Sequence, residues 1–246
     1  MTYCMALNVK AGLVMLADTR TNAGVDNISR FRKMFTWEVP GERAICLMTA
    51  GNLSITQGVV TRLDEAIERA SAGESVETIL NAPTMFRIAQ IVGEEMGAMQ
   101  DRYRNALIGQ GGGPDATILV AGQRAGGDHR LFMVYSAGNF IESTDDTPYF
   151  QIGEHKYGKP ILDRVITQDT SLRRALKAAY VSMDSTLRSN LSVGMPLDLA
   201  VIPSGEFRFS VRRRIEVDDE EFSTTSQLWS EALREAFASI PEIAGS

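Results

Sequence analysis

The order in which strand-like and helix-like stretches follow one another constrains this chain more than any single motif does. Tyr3 to Val9 and Leu13 to Ala17 are short apolar runs joined by Lys10, Ala11 and Gly12, the pattern of a β-hairpin. The polar stretch TRTNAGVDN, with Gly24, reads as a loop. Lys33 to Val39 and Ala44 to Thr49 flank a Pro-Gly-Glu turn and predict a second hairpin. From Asn52 the spacing turns helical, with Val59, Leu63, Ala66, Ile67 and Ala70 on one face. Ser75 to Met99 repeats that spacing, with Ser75 available as a cap and Pro83 placed to kink or split the helix. After the break GQGGGPDA, strand character returns at Ala116 to Ala121, Leu131 to Tyr135 and Tyr149 to Ile152. Helical stretches follow at Gly158 to Ile166 and Ser171 to Leu187. Two strands, Asp198 to Ile202 and Glu206 to Val211, meet at a Ser204-Gly205 turn, and a helix around Ser226 to Phe237 comes last.

Strand groups separated by helix pairs do not build a parallel βαβ sheet. Two antiparallel sheets covered by helix layers are expected instead. The 246 residues, 44% hydrophobic and 23% charged, suffice for one large core without staples, and no internal boundary or repeat divides them. No stretch nears the roughly 20 apolar residues that span a bilayer. The opening MTYCMALNVKAG lacks the basic and apolar regions of a signal peptide. A net charge of -6 argues against a nucleic-acid partner. Two cysteines, Cys4 and Cys46, make neither a disulfide framework nor a metal motif and fit a reducing, cytoplasmic setting. With only His129 and His155, histidine-centred catalysis has few candidates.

Thr2 offers a different chemistry. Removal of Met1 would leave a threonine whose α-amine titrates near ~8 in model peptides. One residue would then supply both nucleophile and base. Asp18 ends the second predicted strand, and the hairpin returns it toward the chain start. Lys33, beside a threonine amine, would lower the pKa of that amine by like-charge repulsion, with Asp18 keeping the lysine charged and aimed. The alternative for both is a solvated strand-end pair. Gly51, between a strand and a helix, sits at a turn that either only reverses the chain or holds an oxyanion on its backbone N–H. Cys4 shares a strand face with Thr2 and is read as a small buried hydrophobe rather than a thiol nucleophile. The run RRRIEVDDEE sets basic before acidic residues, either as a subunit contact or as a solvated strand and loop.

Taken together, Thr2, the strand GLVMLADTR, Lys33 and the strand and turn AICLMTAGN resemble a proteasome β-type subunit. The opening MTYC, DTRTNAGVDNISRFRKM, IGEHKYGKPILDR and SNLSVGMPLDLAVIP are similar to one branch, the bacterial ancestral β-subunit family Anbu. The likeness covers essentially the whole chain as one domain, including an extension from about residue 203 that passes the end of the related HslV peptidase. The resemblance implies a four-layer αββα sandwich of the N-terminal nucleophile hydrolase type and a threonine-dependent peptidase. Its subunits would assemble with copies of themselves into rings or open helical stacks, without metal or organic cofactor. Thr2 would be the nucleophile, Asp18 and Lys33 its supports, Gly51 the oxyanion N–H, and Ser192 the serine set near the threonine amine. Ser189 stands where many proteasome subunits carry an aspartate, which removes one carboxylate expected to orient Ser192. Glu154 and His155 fill a loop where many relatives have small residues. A hydrolase of small amides or isopeptides and a weakly catalytic assembly subunit are the alternatives. While Met1 stays attached, the Thr2 nitrogen is an amide and cannot act as base.

Overall fold

In the computed structural model, residues 2–22, 28–109, 113 and 115–243 are described. Met1, Gly24 and the middle of the first polar loop, and half of the GQGGGPDA break lie outside them. The strands are β1 (Tyr3–Val9), β2 (Gly12–Asp18), β3 (Arg20–Asn22), β4 (Ile28–Arg30), β5 (Met34–Val39), β6 (Arg43–Gly51), β7 (Ala116–Arg124), β8 (Arg130–Val134), β9 (Phe140–Glu142), β10 (Tyr149–Gly153), β11 (Leu197–Pro203) and β12 (Val211–Ile215). The helices are α1 (Leu53–Ser71), α2 (Met85–Gly109), α3 (Lys159–Val165), α4 (Leu172–Ser189) and α5 (Glu220–Ala238).

The chain is a mixed α and β protein with two five-stranded antiparallel sheets. One has the order β10-β1-β2-β11-β12 and the other β5-β6-β7-β8-β9. The ribbon β3-β4 stands apart from both. β1 and β2 are buried on both faces, which is why they read as unbroken apolar runs rather than alternating ones. Tyr3, Met5, Leu7 and Val9 pack with residues of α3, α4 and α5, such as Leu162, Met183 and Phe222. The opposite face, Cys4 and Ala6, packs with residues of the second sheet, among them Cys46, Met48 and Leu119. A third cluster joins the far face of that sheet, through Ile45, Leu47 and Ile118, to α1 and α2. Alternation along each strand therefore divides its side chains between two cores.

Both predicted hairpins form, and β1 pairs β2 so that Cys4 lies opposite Ala17. α1 starts where its spacing begins: the Asn52 side chain accepts the amides of Ser54 and Ile55. The next helix differs from expectation. Ser75 caps nothing, residues 75–84 are not helical, and α2 begins only at Met85. Pro83 rules out a continuous helix, and the Thr84 hydroxyl takes over the cap by accepting the Arg87 amide at 3.0 Å. The last strand also starts later than its sequence suggests, at Val211, because residues 204–210 form turns and bends. The short strands β3, β4 and β9 have no sequence signal at all. Among the described residues no helix is long and apolar enough to cross a membrane.

Candidate active site

Thr2 immediately precedes β1, whose first residues are paired on both sides, with Tyr3 opposite Gly153 of β10 and Cys4 opposite Ala17 of β2. Its carbonyl oxygen accepts the Glu154 amide at 2.6 Å. Gly153 adopts φ +83°, and a Cβ there would lie 2.1 Å from that same carbonyl oxygen. Only glycine lets the two backbones approach this closely. Gly153→Ala is therefore expected to cost at least about 1–3 kcal/mol from the strained φ alone and to displace Thr2 as well. The midpoint of urea unfolding checks this. Behind Thr2, the buried Tyr3 hydroxyl is hydrogen-bonded to Ser182 of α4 at 2.6 Å, which pins the start of β1 to the helix layer.

Asp18, at the end of β2, is fully buried. Its Oδ1 accepts the Tyr3 amide at 2.9 Å and the Lys33 ammonium at 2.7 Å, while Oδ2 accepts the Gly194 amide at 3.3 Å. Lys33 is one residue ahead of β5 rather than in it, and also donates to the Arg20 carbonyl at 2.5 Å. The Lys33 and Asp18 side chains are 4% and 0% exposed, so water screens their pairing little. Burial raises the pKa of the Asp18 carboxyl, opposed by the Lys33 charge and by the hydrogen bonds from Lys33, Tyr3 and Gly194. One oxygen of Asp18 thus holds both the ammonium and the peptide N–H next to Thr2. The solvated strand-end alternative is excluded for this pair.

Thr2, Lys33, Gly51 and Gly153 line one cavity of about 290 Å³, closed further by Thr21, Thr49 and Leu53. Gly51 ends β6 with φ +97°, and a Cβ there would meet the Asp115 carbonyl oxygen at 2.3 Å. Leu53 is the first residue of α1, so the positive end of that helix dipole borders the cavity. A larger cavity of about 730 Å³ lies among α3, α4 and α5. Its walls, including Ile161, Val181, Trp229 and Arg174, carry no carboxylate and no residue singled out from the sequence.

Ser192 is not among the residues lining the Thr2 cavity. It lies in the loop after α4, two residues before the Gly194 amide that binds Asp18, and its own amide donates to Asn190 Oδ1 at 2.9 Å. Ser189 is exposed at the end of α4. Besides Asp18, which accepts the Gly194 amide, a second carboxylate reaches this loop, that of Glu154, which the sequence marks only as an unusual residue of its own loop. Its Oε2 accepts the Asn190 side-chain nitrogen at 2.7 Å. Burial pushes the Glu154 carboxyl up, but hydrogen bonds from the Lys156 and His155 amides and from Asn190 outweigh it and leave its pKa lowered. His155 is exposed. The His129 ring bonds the Val9 carbonyl at the other end of β1, so neither histidine lines the Thr2 cavity.

Cys4 is fully buried with its thiol toward the Thr49 carbonyl, and burial drives its pKa well up, the state of an inert packing residue. The arginines of RRRIEVDDEE are largely engaged inside the chain: Arg213 pairs with Asp219 and Glu221, and Arg214 with Asp198. Among the described residues no group of three or more His, Cys, Asp or Glu side chains converges as a metal site would.

No protein-family model and no curated protein matches the chain. Solved structures do. The one described as the helical assembly of the Anbu complex from Pseudomonas aeruginosa is 42% identical, with a TM-score of 0.92 over 99% of this chain and 98% of that one. Anbu (ancestral β-subunit) from Yersinia bercovieri is 42% identical, with a TM-score of 0.91 over 99% of each chain. A Gly-1 mutant of Anbu from Hyphomicrobium sp. strain MC1 is 46% identical, with a TM-score of 0.89 over the full length of both.

Proposed function

This chain belongs to the Anbu family of proteasome-related proteins, and from that membership we propose that it is a threonine-type peptidase subunit with Thr2 as nucleophile. The observation that carries the reading is the shared oxygen of Asp18, which binds the Lys33 ammonium and the Tyr3 amide beside a cavity lined by both Thr2 and Lys33.

After removal of Met1, the Thr2 hydroxyl attacks a peptide carbonyl. Its proton passes to the Thr2 α-amine, directly or through a water. The Lys33 ammonium, aimed by its contact with Asp18, lowers the pKa of that amine by like-charge repulsion so that more of it is unprotonated near neutrality. The oxyanion of the tetrahedral intermediate rests on the Gly51 N–H, at the positive end of α1. The amine returns the proton to the leaving nitrogen as the C–N bond breaks, and an ester on Thr2 remains. Water activated by the same amine hydrolyses the ester. Ser192 does not line the cavity but lies two residues before the Gly194 amide on Asp18, and in this reading it reaches the water or the amine from there by hydrogen bonding. Peptides or unfolded polypeptide are the substrates, and no cofactor takes part.

The three apolar clusters support a four-layer αββα order, with the two sheets facing each other and helices outside, built as one domain with an extension from about residue 203. The chain assembles with copies of itself, a reading supported by the helical assembly of the Pseudomonas relative. A head-to-tail contact that does not close gives an open stack, and one that closes gives a ring. Two free, buried cysteines support a place in the reducing cytoplasm.

Intact mass of the protein purified from its own host tests the premise: the expected mass lacks the initiator methionine. Treated with a threonine-directed β-lactone, this processed protein is expected to carry one adduct, mapped by peptide sequencing to Thr2. Processed protein that takes up no adduct would reduce the chain to an assembly subunit without turnover.

A further inference from the structure

Two loops meet at the start of β1. Gly153, which ends β10, and residues 154–158 after it touch Thr2 directly: the Glu154 amide donates to the Thr2 carbonyl and Gly153 packs against it. Residues 190–194, after α4, touch Asp18 through the Gly194 amide at 3.3 Å. The Glu154 carboxylate joins them. Its Oε1 accepts the His155 and Lys156 amides at 2.8 Å each, which folds its own loop. Its Oε2 accepts the Asn190 side-chain nitrogen at 2.7 Å, and Asn190 Oδ1 accepts the Ser192 amide at 2.9 Å. Glu154 is 7% and Asn190 8% exposed. These bonds close a circuit. It runs from the Thr2 carbonyl through Glu154 and Asn190 to residues 192–194, then to Asp18, and back along the Tyr3 amide to Thr2.

The three donors on Glu154 are uncharged N–H groups. A buried carboxylate satisfied in this way is costlier to bury than a neutral side chain. Simple loop packing does not require one. The charge does have a specific use here: it accepts on both oxygens at once, so the same side chain fixes both loops.

We propose that Glu154 is a positioning residue that, through Asn190, locks the loop after α4 against the loop that holds Thr2 and so sets the nucleophile relative to the Asp18–Lys33 pair. The catalytic consequence rests on the peptidase reading; the lock itself does not.

Glu154→Gln turns one NH₂ group against another, keeps the Asn190 bond only by losing the loop amides, or keeps both only if the Asn190 amide turns over and gives up the Ser192 amide. In each case the circuit is broken. Combining Glu154→Gln with Asn190→Asp reverses the polarity and remakes it, and the carboxylate introduced at 190 still accepts the Ser192 amide. In processed protein, Glu154→Gln alone is expected to slow β-lactone labelling of Thr2 and to lower kcat about tenfold or more, since small misplacements at a reacting centre cost that much. KM is expected to stay within about twofold. Hydrogen exchange at the amides of 155, 156 and 192 is expected to rise in the single variant. The double variant is expected to regain most of the labelling rate and the slow exchange.

Wild-type protein that takes no label sinks the peptidase reading, while the exchange pattern still decides the lock. Labelled wild type with a Glu154→Gln variant equal to it in rate and exchange overturns the proposal. So does a double variant that recovers slow exchange but not the labelling rate.

Discussion

Replacing Lys33 with methionine is expected to damage stability and activity together. Among the described residues, the substitution leaves the fully buried Asp18 carboxylate with the Tyr3 and Gly194 amides as its hydrogen-bond partners. Breaking a buried ion pair from one side costs about 3–5 kcal/mol, because the charge left behind is uncompensated. Chemical denaturation should show that loss as a lower urea midpoint. Turnover should fall by about a thousandfold or more, the scale of losing an essential member of a catalytic unit. The residual rate should also have its acid limb at higher pH, since the like charge that holds the Thr2 amine unprotonated is gone. Adding Asp18→Asn to the Lys33→Met variant separates the two effects. With no buried charge left, much of the stability is expected to return, while turnover stays lost. A Lys33→Met variant with normal turnover would refute the proposed role of the lysine.

Thr2→Ala is expected to show the complementary pattern. Removing the hydroxyl should abolish β-lactone labelling and lower peptide turnover by about 10⁴-fold or more, as for other nucleophile deletions. Stability should change by about 0.5 kcal/mol or less. The bonds that locate this residue belong to its main chain and its neighbours: the Glu154 amide on the Thr2 carbonyl and the Tyr3 amide on Asp18. Both survive the substitution. Activity and denaturation curves measured on the same preparation check both halves, and retained turnover would point to a different nucleophile.

Much of the fold around Thr2 is legible from local rules. The hairpin of β1 and β2 follows from two apolar runs around Gly12, and its pairing brings the end of β2 back to the start of β1, where Asp18 meets the Tyr3 amide. Asn52 announces α1 because a short polar side chain before an apolar-periodic stretch satisfies the first helix amides. The misses share a different origin. β3, β4 and β9 are three residues each, too short for a period to register. The start of α2 depends on Pro83 overriding the apolar spacing around it. The Glu154–Asn190 bridge links residues 36 positions apart on two loops, and no local pattern encodes such a pairing. The family pattern draws attention to Ser189, yet the buried residue beside it, Asn190, makes the contact.

The place of β1 between β10 and β2 carries a consequence for maturation. A polypeptide's first residues ordinarily fray, and a reactive group placed there would sample many orientations. Here the strand that follows Thr2 is internal to its sheet, and among the described residues its anchorage comes from partners further along the chain. On the proposed reading, trimming by an aminopeptidase uncovers the Thr2 amine while the bonds on the Thr2 carbonyl and the Tyr3 amide stay in place. Under that proposal, activation is a matter of one cut rather than of refolding.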